Sequence, residues 1–113
     1  MSSDCLFCKI SAGEIPAEKL FENDEIIAFR DIAPQAPVHF LVIPKKHIQD
    51  PAAVTPEDAG LIGRMMTVGA EVAKENGIDD FRMVFNNGAG AGQTVFHLHI
   101  HVLGGRSLGW PPG

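Results

Sequence analysis

Basic residues are scarce. The 113-residue chain has 9 lysines and arginines against 14 aspartates and glutamates, a formal charge of −5 and a pI of about 5.4. That balance argues against a nucleic-acid backbone as the main ligand, which needs a basic stripe. It argues equally against an anionic membrane surface. No apolar run approaches the roughly 20 residues of a membrane span. The opening Met1-Ser2-Ser3-Asp4-Cys5 has neither the basic nor the apolar region of a secretory signal, and lipidation motifs are missing too, so the expected location is cytoplasmic. Two cysteines, Cys5 and Cys8, are too few for a secreted disulfide scaffold. Internal repeats, charge blocks and low-complexity linkers are also lacking.

What is present is ordinary for a globular chain: 45% hydrophobic and 20% charged residues. The length makes residues 1–113 a single domain, and a chain of this size buries roughly two-thirds of its unfolded surface.

Residues 7–12 suit one or two helical turns closed by Gly13. Lys19-Leu20-Phe21-Glu22 and Ile26-Ile27-Ala28-Phe29-Arg30 read as short strands around a turn at Asn23-Asp24. After Pro34-Gln35-Ala36-Pro37, the run His39-Phe40-Leu41-Val42-Ile43 is a strand stopped by Pro44. One long helix follows Thr55-Pro56-Glu57-Asp58, which supplies an N-cap hydroxyl, a proline at the first turn and an acid three residues on. Leu61, Met65, Val68 and Val72 recur at helical spacing, widened by Ile62, Met66, Gly69 and Ala73, while Arg64, Glu71, Lys74 and Glu75 stay off that stripe. Asn76-Gly77 ends it. Residues 81–85 read as a strand, 86–94 as a glycine-rich loop and 95–103 as a final strand. A sheet with one main helix is an α+β architecture.

The final strand holds the densest chemistry. In Val95-Phe96-His97-Leu98-His99-Ile100-His101-Val102-Leu103, alternation puts Phe96, Leu98, Ile100 and Val102 on one face and His97, His99 and His101 on the other. Desolvating three imidazoles together is costly unless they bind something. Same-face neighbours are about 6.6 Å apart, so the three span about 13 Å, too far to chelate one metal from a straight strand. Division of labour fits better: one imidazole attacks while its neighbours orient and charge the site. The preceding Asn86-Asn87-Gly88-Ala89-Gly90-Ala91-Gly92-Gln93-Thr94 has glycines that let backbone N–H groups approach an anion. It is no P-loop, because no lysine follows Gly92 and a strand rather than a helix comes next.

His97-Leu98-His99-Ile100-His101-Val102-Leu103 resembles the histidine triad, His-φ-His-φ-His-φ-φ, of the HIT superfamily. Phe29-Arg30-Asp31-Ile32, the run from Pro34 through Pro44-Lys45-Lys46-His47-Ile48, Gly92-Gln93-Thr94-Val95-Phe96-His97, Gly104-Gly105-Arg106 and Trp110-Pro111-Pro112-Gly113 are similar to its Hint branch, the histidine triad nucleotide-binding proteins. The resemblance covers nearly the whole chain. It implies a HIT-like fold, a five-stranded antiparallel sheet with one long and one short helix, and a homodimer with a continuous sheet. It also implies hydrolysis of a purine nucleoside 5′-phosphoramidate to AMP and an amine.

By that resemblance, His99 is the nucleophile, forming a nucleotidyl-imidazole that water hydrolyses. His101 bonds a phosphate oxygen, and Gly92, Gln93, Thr94 and Asn86 surround the phosphate and leaving group. His39 supports the site from behind. The nucleoside pocket is Leu6, Phe7, Ile10, Ile15, Phe29, Arg30, Asp31 and Ile32, with Asp31 on the ribose hydroxyls. Ordinary core packing is the competing reading for Leu6, Ile10, Ile15 and Phe29, and turn capping for Asp31. The Cys5-x-x-Cys8 pair is half a zinc site by itself. Some bacterial relatives that carry the pair complete a structural zinc site with residues matching His47 and His97; free thiols are the alternative. No organic cofactor is expected.

Two other functions stay open. One is a dinucleoside polyphosphate hydrolase or nucleotidyl transferase of the same superfamily, against which the chain ending and the few basic residues speak. The other is a nucleotide-binding regulatory or scaffold protein whose hydrolysis is incidental.

Overall fold

Two runs without polar interruption, Ile26-Ile27-Ala28-Phe29 and Phe40-Leu41-Val42-Ile43, form inner strands, because only a strand covered on both faces can be apolar at every position. In the computed structural model, which describes residues 4–113, they lie in β2 (Ile26–Arg30) and β3 (Val38–Pro44). Met1, Ser2 and Ser3, part of the opening stretch read above for targeting, lie outside the described residues. With β1 (Lys19–Glu22), β4 (Phe81–Val84) and β5 (Ile100–Gly104) they make a five-stranded sheet in the order β1-β2-β3-β5-β4, antiparallel at every pairing. The expected α+β fold with a short helix α1 (Leu6–Ser11) and a long helix α2 (Ala59–Glu75) is what forms.

Alternation sorts each strand between two cores. Ile26, Ala28, Phe40, Val42, Ile100 and Val102 pack under Met65, Val68 and Val72 of α2. Ile27, Phe29, Leu41 and Ile43 face the other way and pack with Phe7 and Ile10 of α1. Helix α2 lies close on the sheet at Gly69, where an added Cβ would stand 2.8 Å from the Met83 Cε and 3.4 Å from Val102.

The helix signals act where the sequence places them. Thr55 and Asp58 form a reciprocal capping box, although Pro56–Asp58 is a 3-10 turn and the α-helix proper begins at Ala59. Asn76 closes it, donating from Nδ2 to the Val72 carbonyl at 2.8 Å, and Gly77 takes φ 78°. Met66, expected on the apolar stripe, is 50% exposed.

The last strand is shorter than expected. Ladder pairing starts at Ile100 rather than Val95. Strand β3 ends at Pro44, which has no N–H to continue the ladder. The backbone before Ile100 pairs elsewhere: the Leu98 N–H donates to the Ile48 carbonyl at 2.6 Å. Thus His97 and His99 precede the strand, and His101 lies in it, opposite Leu41.

Candidate functional site

The face of the sheet that carries α1 also carries His39 and His101, on neighbouring strands. His39 Nε2 lies 2.9 Å from His101 Nδ1. Asp31, just past β2, approaches the pair with Oδ2 at 3.4 Å from His39 and 3.9 Å from His101. Its other oxygen accepts from the Ala33 N–H at 2.8 Å, so Asp31 caps its own turn while facing the histidines.

His99 is held by its neighbour. Its Nδ1 sits 2.7 Å from the His97 carbonyl. A carbonyl only accepts, so Nδ1 carries the proton and Nε2 keeps its lone pair. Burial lowers the His99 pKa, opposed by that hydrogen bond and by Asp31. The ring is therefore a neutral imidazole with a defined basic nitrogen. Phe7 packs edge-on against it at 5.1 Å, and against Phe29 at 5.5 Å.

His97 faces another centre. Its Nε2 donates to the Pro44 carbonyl at 2.7 Å, which leaves Nδ1 as an acceptor. That Nδ1 is 3.2 Å from Cys5 Sγ, 3.6 Å from Cys8 Sγ and 3.2 Å from His47 Nδ1. Cys8 Sγ is 3.4 Å from His47 Nδ1. The four ligand atoms all lie within 4.8 Å of one another, a cluster that could hold a metal ion. Burial and the adjacent Cys5 push the Cys8 thiol up to about 11, so a thiolate here wants a compensating cation. Cys5 is also the N-cap of α1, accepting from the Cys8 N–H at 3.3 Å.

The glycine-rich loop is tied from inside. Gln93 is 3% exposed. Its Oε1 accepts from the Gly88 N–H at 2.7 Å, and its Nε2 donates to the Gln49 and Val95 carbonyls at 2.9 and 3.1 Å. Gly88 and Gly92 take φ of 91° and 98°, which side chains resist. The amide of Asn86 comes close to Gly92: a Cβ there would be 3.7 Å from its Nδ2. Thr94 is exposed beside a cleft of about 550 Å³ that Leu6, Val95 and Phe96 also line.

A family model described as scavenger mRNA decapping enzyme C-term binding matches residues 4–109. HIT-like proteins of Synechocystis and Synechococcus elongatus are each 54% identical over 114 residues, covering 100% of both chains. The chain belongs to the HIT family. Among solved HIT structures, a family hydrolase from Legionella pneumophila superposes with TM-score 0.95 at 49% identity, covering 97% of this chain and 100% of that one. A histidine triad protein from Clostridium difficile gives 0.92 at 41% identity, covering 96% of each.

Against this HIT frame, the expected site residues fall into groups. His39, Asp31, His99 and His101 converge. Phe7, Ile10 and Phe29 are buried beneath them, with Ile15 half-buried alongside. Leu6 is 41% exposed, and Ile32 stands free at 99%. Arg30 is not brought to the pocket. It follows Phe29 on a strand and so faces the α2 side, where it bonds Glu18 at 2.6 Å and the Asn76 Oδ1 at 3.1 Å. The sequence reading missed the Pro44 and Gln49 carbonyls, and the backbone carbonyl that the resemblance implies for holding the His99 ring is that of His97, which no residue type announces. It also missed Asn87, whose Oδ1 accepts from the Ala52 N–H at 2.8 Å and ties the loop to the 51–53 turn.

Burial holds His101 down to about 4, reinforced by His99 and His39 and opposed by Asp31. An unfolded imidazole protonates at about 6.5. The stability gained by keeping this ring neutral is therefore present above pH 6.5 and is lost as pH falls from 6.5 toward 4. An NMR titration should place the His101 midpoint near 4; a midpoint at or above 6.5 would contradict the neutral, hydrogen-bonded pair.

Proposed function

We propose that the protein is a purine nucleoside phosphoramidase, hydrolysing AMP–amine bonds through a nucleotidyl intermediate on His99. One observation carries this reading: the His99 Nδ1–H is held by the His97 carbonyl at 2.7 Å, so Nε2 is an oriented lone pair on a neutral ring. Such a nitrogen attacks phosphorus at neutral pH without first losing a proton. In the first step the Nε2–P bond forms as the P–N bond breaks, and the departing nitrogen takes a proton from solvent so that a neutral amine leaves. In the second, water attacks phosphorus and gives up a proton to solvent, the Nε2–P bond breaks, the electron pair returns to Nε2, and AMP is released. His101 is suited to bond the phosphoryl oxygens. The Thr94 backbone and hydroxyl offer further donors, and Gly92, whose own N–H donates to the Ala89 carbonyl at 3.0 Å, leaves room for the anion's close approach. Asn86, close to Gly92, faces the same anion. Gln93 serves by shaping the loop, since both ends of its amide are engaged. Phe7, Ile10, Ile15 and Phe29 form the floor of the nucleoside pocket, with Leu6 and Ile32 at its rim and Asp31 toward the ribose.

The scarcity of free cations supports this over a dinucleoside polyphosphate substrate. Lys45 and Lys46 are paired with Glu22 and Asp58 at 2.8 and 2.7 Å. A regulatory binding role predicts affinity for AMP without turnover, and the assay below separates it.

Zinc is the metal that the cysteine–histidine cluster suits. Tetrahedral zinc with bonds of about 2.0–2.1 Å to nitrogen and 2.3 Å to sulfur requires ligand separations of about 3.3–3.8 Å. The measured 3.2 to 3.6 Å between the sulfur and nitrogen atoms are close to that. Cys5, Cys8, His47 and His97 would hold it, and with four protein ligands its part is structural. The role of this cluster is to pin α1, and with it Phe7, against His97 and His99.

A homodimer completes the proposal. Strand β4 is a sheet edge, Phe85 directly after it is 37% exposed, and Met66 on α2 is 50% exposed. No helix among the described residues is long and apolar enough to cross a membrane.

Three measurements test these statements. His99→Ala should lower AMP–lysine turnover by about 10³-fold or more while AMP binding survives; more than a tenth of wild-type activity remaining would sink the nucleophile assignment. Elemental analysis of protein purified without added metal should find about one zinc per chain, and chelation should lower the melting temperature and weaken AMP binding. Zinc near zero, with melting unchanged by chelator, would leave only packed thiols. Sedimentation at micromolar concentration should give a dimer; a 12.1 kDa species alone would contradict it.

A further inference from the structure

Arg106 reaches far back along the chain. Its guanidinium donates twice to the Gln35 carbonyl, from Nε at 3.3 Å and Nη2 at 2.9 Å. Its Nη1 donates to the Ser107 carbonyl at 2.9 Å. An exposed arginine that spends these arms on backbone carbonyls and none on a carboxylate is a clamp on a loop, not a surface ion pair.

What it clamps is the residue whose N–H decides a proton's place, held from its carbonyl one peptide unit on. The Gln35 backbone N–H donates to His39 Nδ1 at 3.0 Å, while the Gln35 side chain turns to the Ala33 carbonyl at 3.0 Å. A backbone N–H can only donate, so His39 Nδ1 is the acceptor and His39 carries its proton on Nε2. That nitrogen is 2.9 Å from His101 Nδ1, which must accept in its turn. His101 is thereby left with its proton on Nε2.

We propose that Arg106 is a positioning residue for the third histidine of the triad: by anchoring Gln35 at its carbonyl it keeps the Gln35 N–H on His39, and so sets the tautomer of His39 and, through it, that of His101. The tautomer assignment stands on hydrogen bonds alone. Its consequence for rate rests on the phosphoramidase reading, in which the His101 Nε2–H faces the phosphoryl group. Asp31 faces both nitrogens that share that proton, with Oδ2 3.4 Å from His39 Nε2 and 3.9 Å from His101 Nδ1. With the Gln35 donor released, the proton between the rings is free to sit on either nitrogen, and the arrangement with His101 Nδ1–H, which leaves its Nε2 bare, becomes accessible.

Ring nitrogens that carry a proton and those that do not are distinguished directly in long-range ¹H–¹⁵N spectra of the full chain at neutral pH. The wild type should show His39 and His101 both protonated on Nε2. Arg106→Ala should show mixed tautomers at both rings. Arg106→Lys, which keeps one donor for the Gln35 carbonyl, should restore most of the wild-type pattern. On AMP–lysine, kcat should fall about tenfold in Arg106→Ala with KM within about twofold, and recover in part with lysine. Arg106→Met, which keeps the stem but has no donor, gives the same readout should the alanine variant fail to fold. Wild-type ring spectra in a folded Arg106→Ala or Arg106→Met protein would overturn the proposal. Shifted tautomers in a protein whose wild type hydrolyses no phosphoramidate would instead uphold the positioning and refute the phosphoramidase reading.

Discussion

The 2.7 Å hydrogen bond from the His97 ring to the Pro44 carbonyl joins everything else. It occurs where β3 stops, and it fixes which nitrogen of His97 faces the cysteines. The same residue's carbonyl takes the Nδ1 proton of His99. One residue thus divides its polar groups between two centres: ring Nδ1 to the sulfur–nitrogen cluster, carbonyl to the His99 ring. Rotating His97 would unmake both. The site therefore depends on the end of the ladder as much as on the strand itself, because a continued β3–β5 pairing would claim the backbone groups now used by side chains.

Burial does the complementary work. A backbone carbonyl or amide can choose a tautomer only if the ring is neutral, since an imidazolium donates from both nitrogens. His39, His97, His99 and His101 all have their pKa lowered, with desolvation the largest cause each time. The cores that surround them are what keep them neutral. Phe7 shows this economy of contact: it packs edge-on against Phe29, His97 and His99 together, so the short helix capped by Cys5 and carrying Cys8 also covers the His99 ring.

Much of this was legible in the residues. The two uninterrupted apolar runs marked the inner strands, and Thr55-Pro56 with Asn76-Gly77 marked the ends of α2. Alternating histidines among apolar residues marked the chemistry. What the residues concealed was mostly backbone. Strand β5 begins at Ile100 rather than Val95 because Leu98 pairs with Ile48, a choice no side chain announces. Gln93 looked like a ligand contact from its place beside Thr94, yet its amide is consumed by the Gly88 N–H and two carbonyls. Arg30 is a different case: period two alone puts it on the face opposite Phe29, so its absence from the pocket could have been read from the strand pattern.

The loop and the triad also solve one problem by different means. An anion can be held by mobile cations or by fixed dipoles, and this chain is short of cations. Lys45 and Lys46 are already paired, and Arg106 is engaged with carbonyls. What remains near His99 is a set of donors whose directions are set by backbone, imidazole protons placed by carbonyls and an amide, beside a loop that Gln93 locks from within. Fixed donors need little reorganisation as charge develops. They also tolerate little displacement, since each one's direction is inherited from the next group along. An acidic protein can in this way present fixed donors to an anion without a basic pocket, provided that its hydrogen-bond chain is complete.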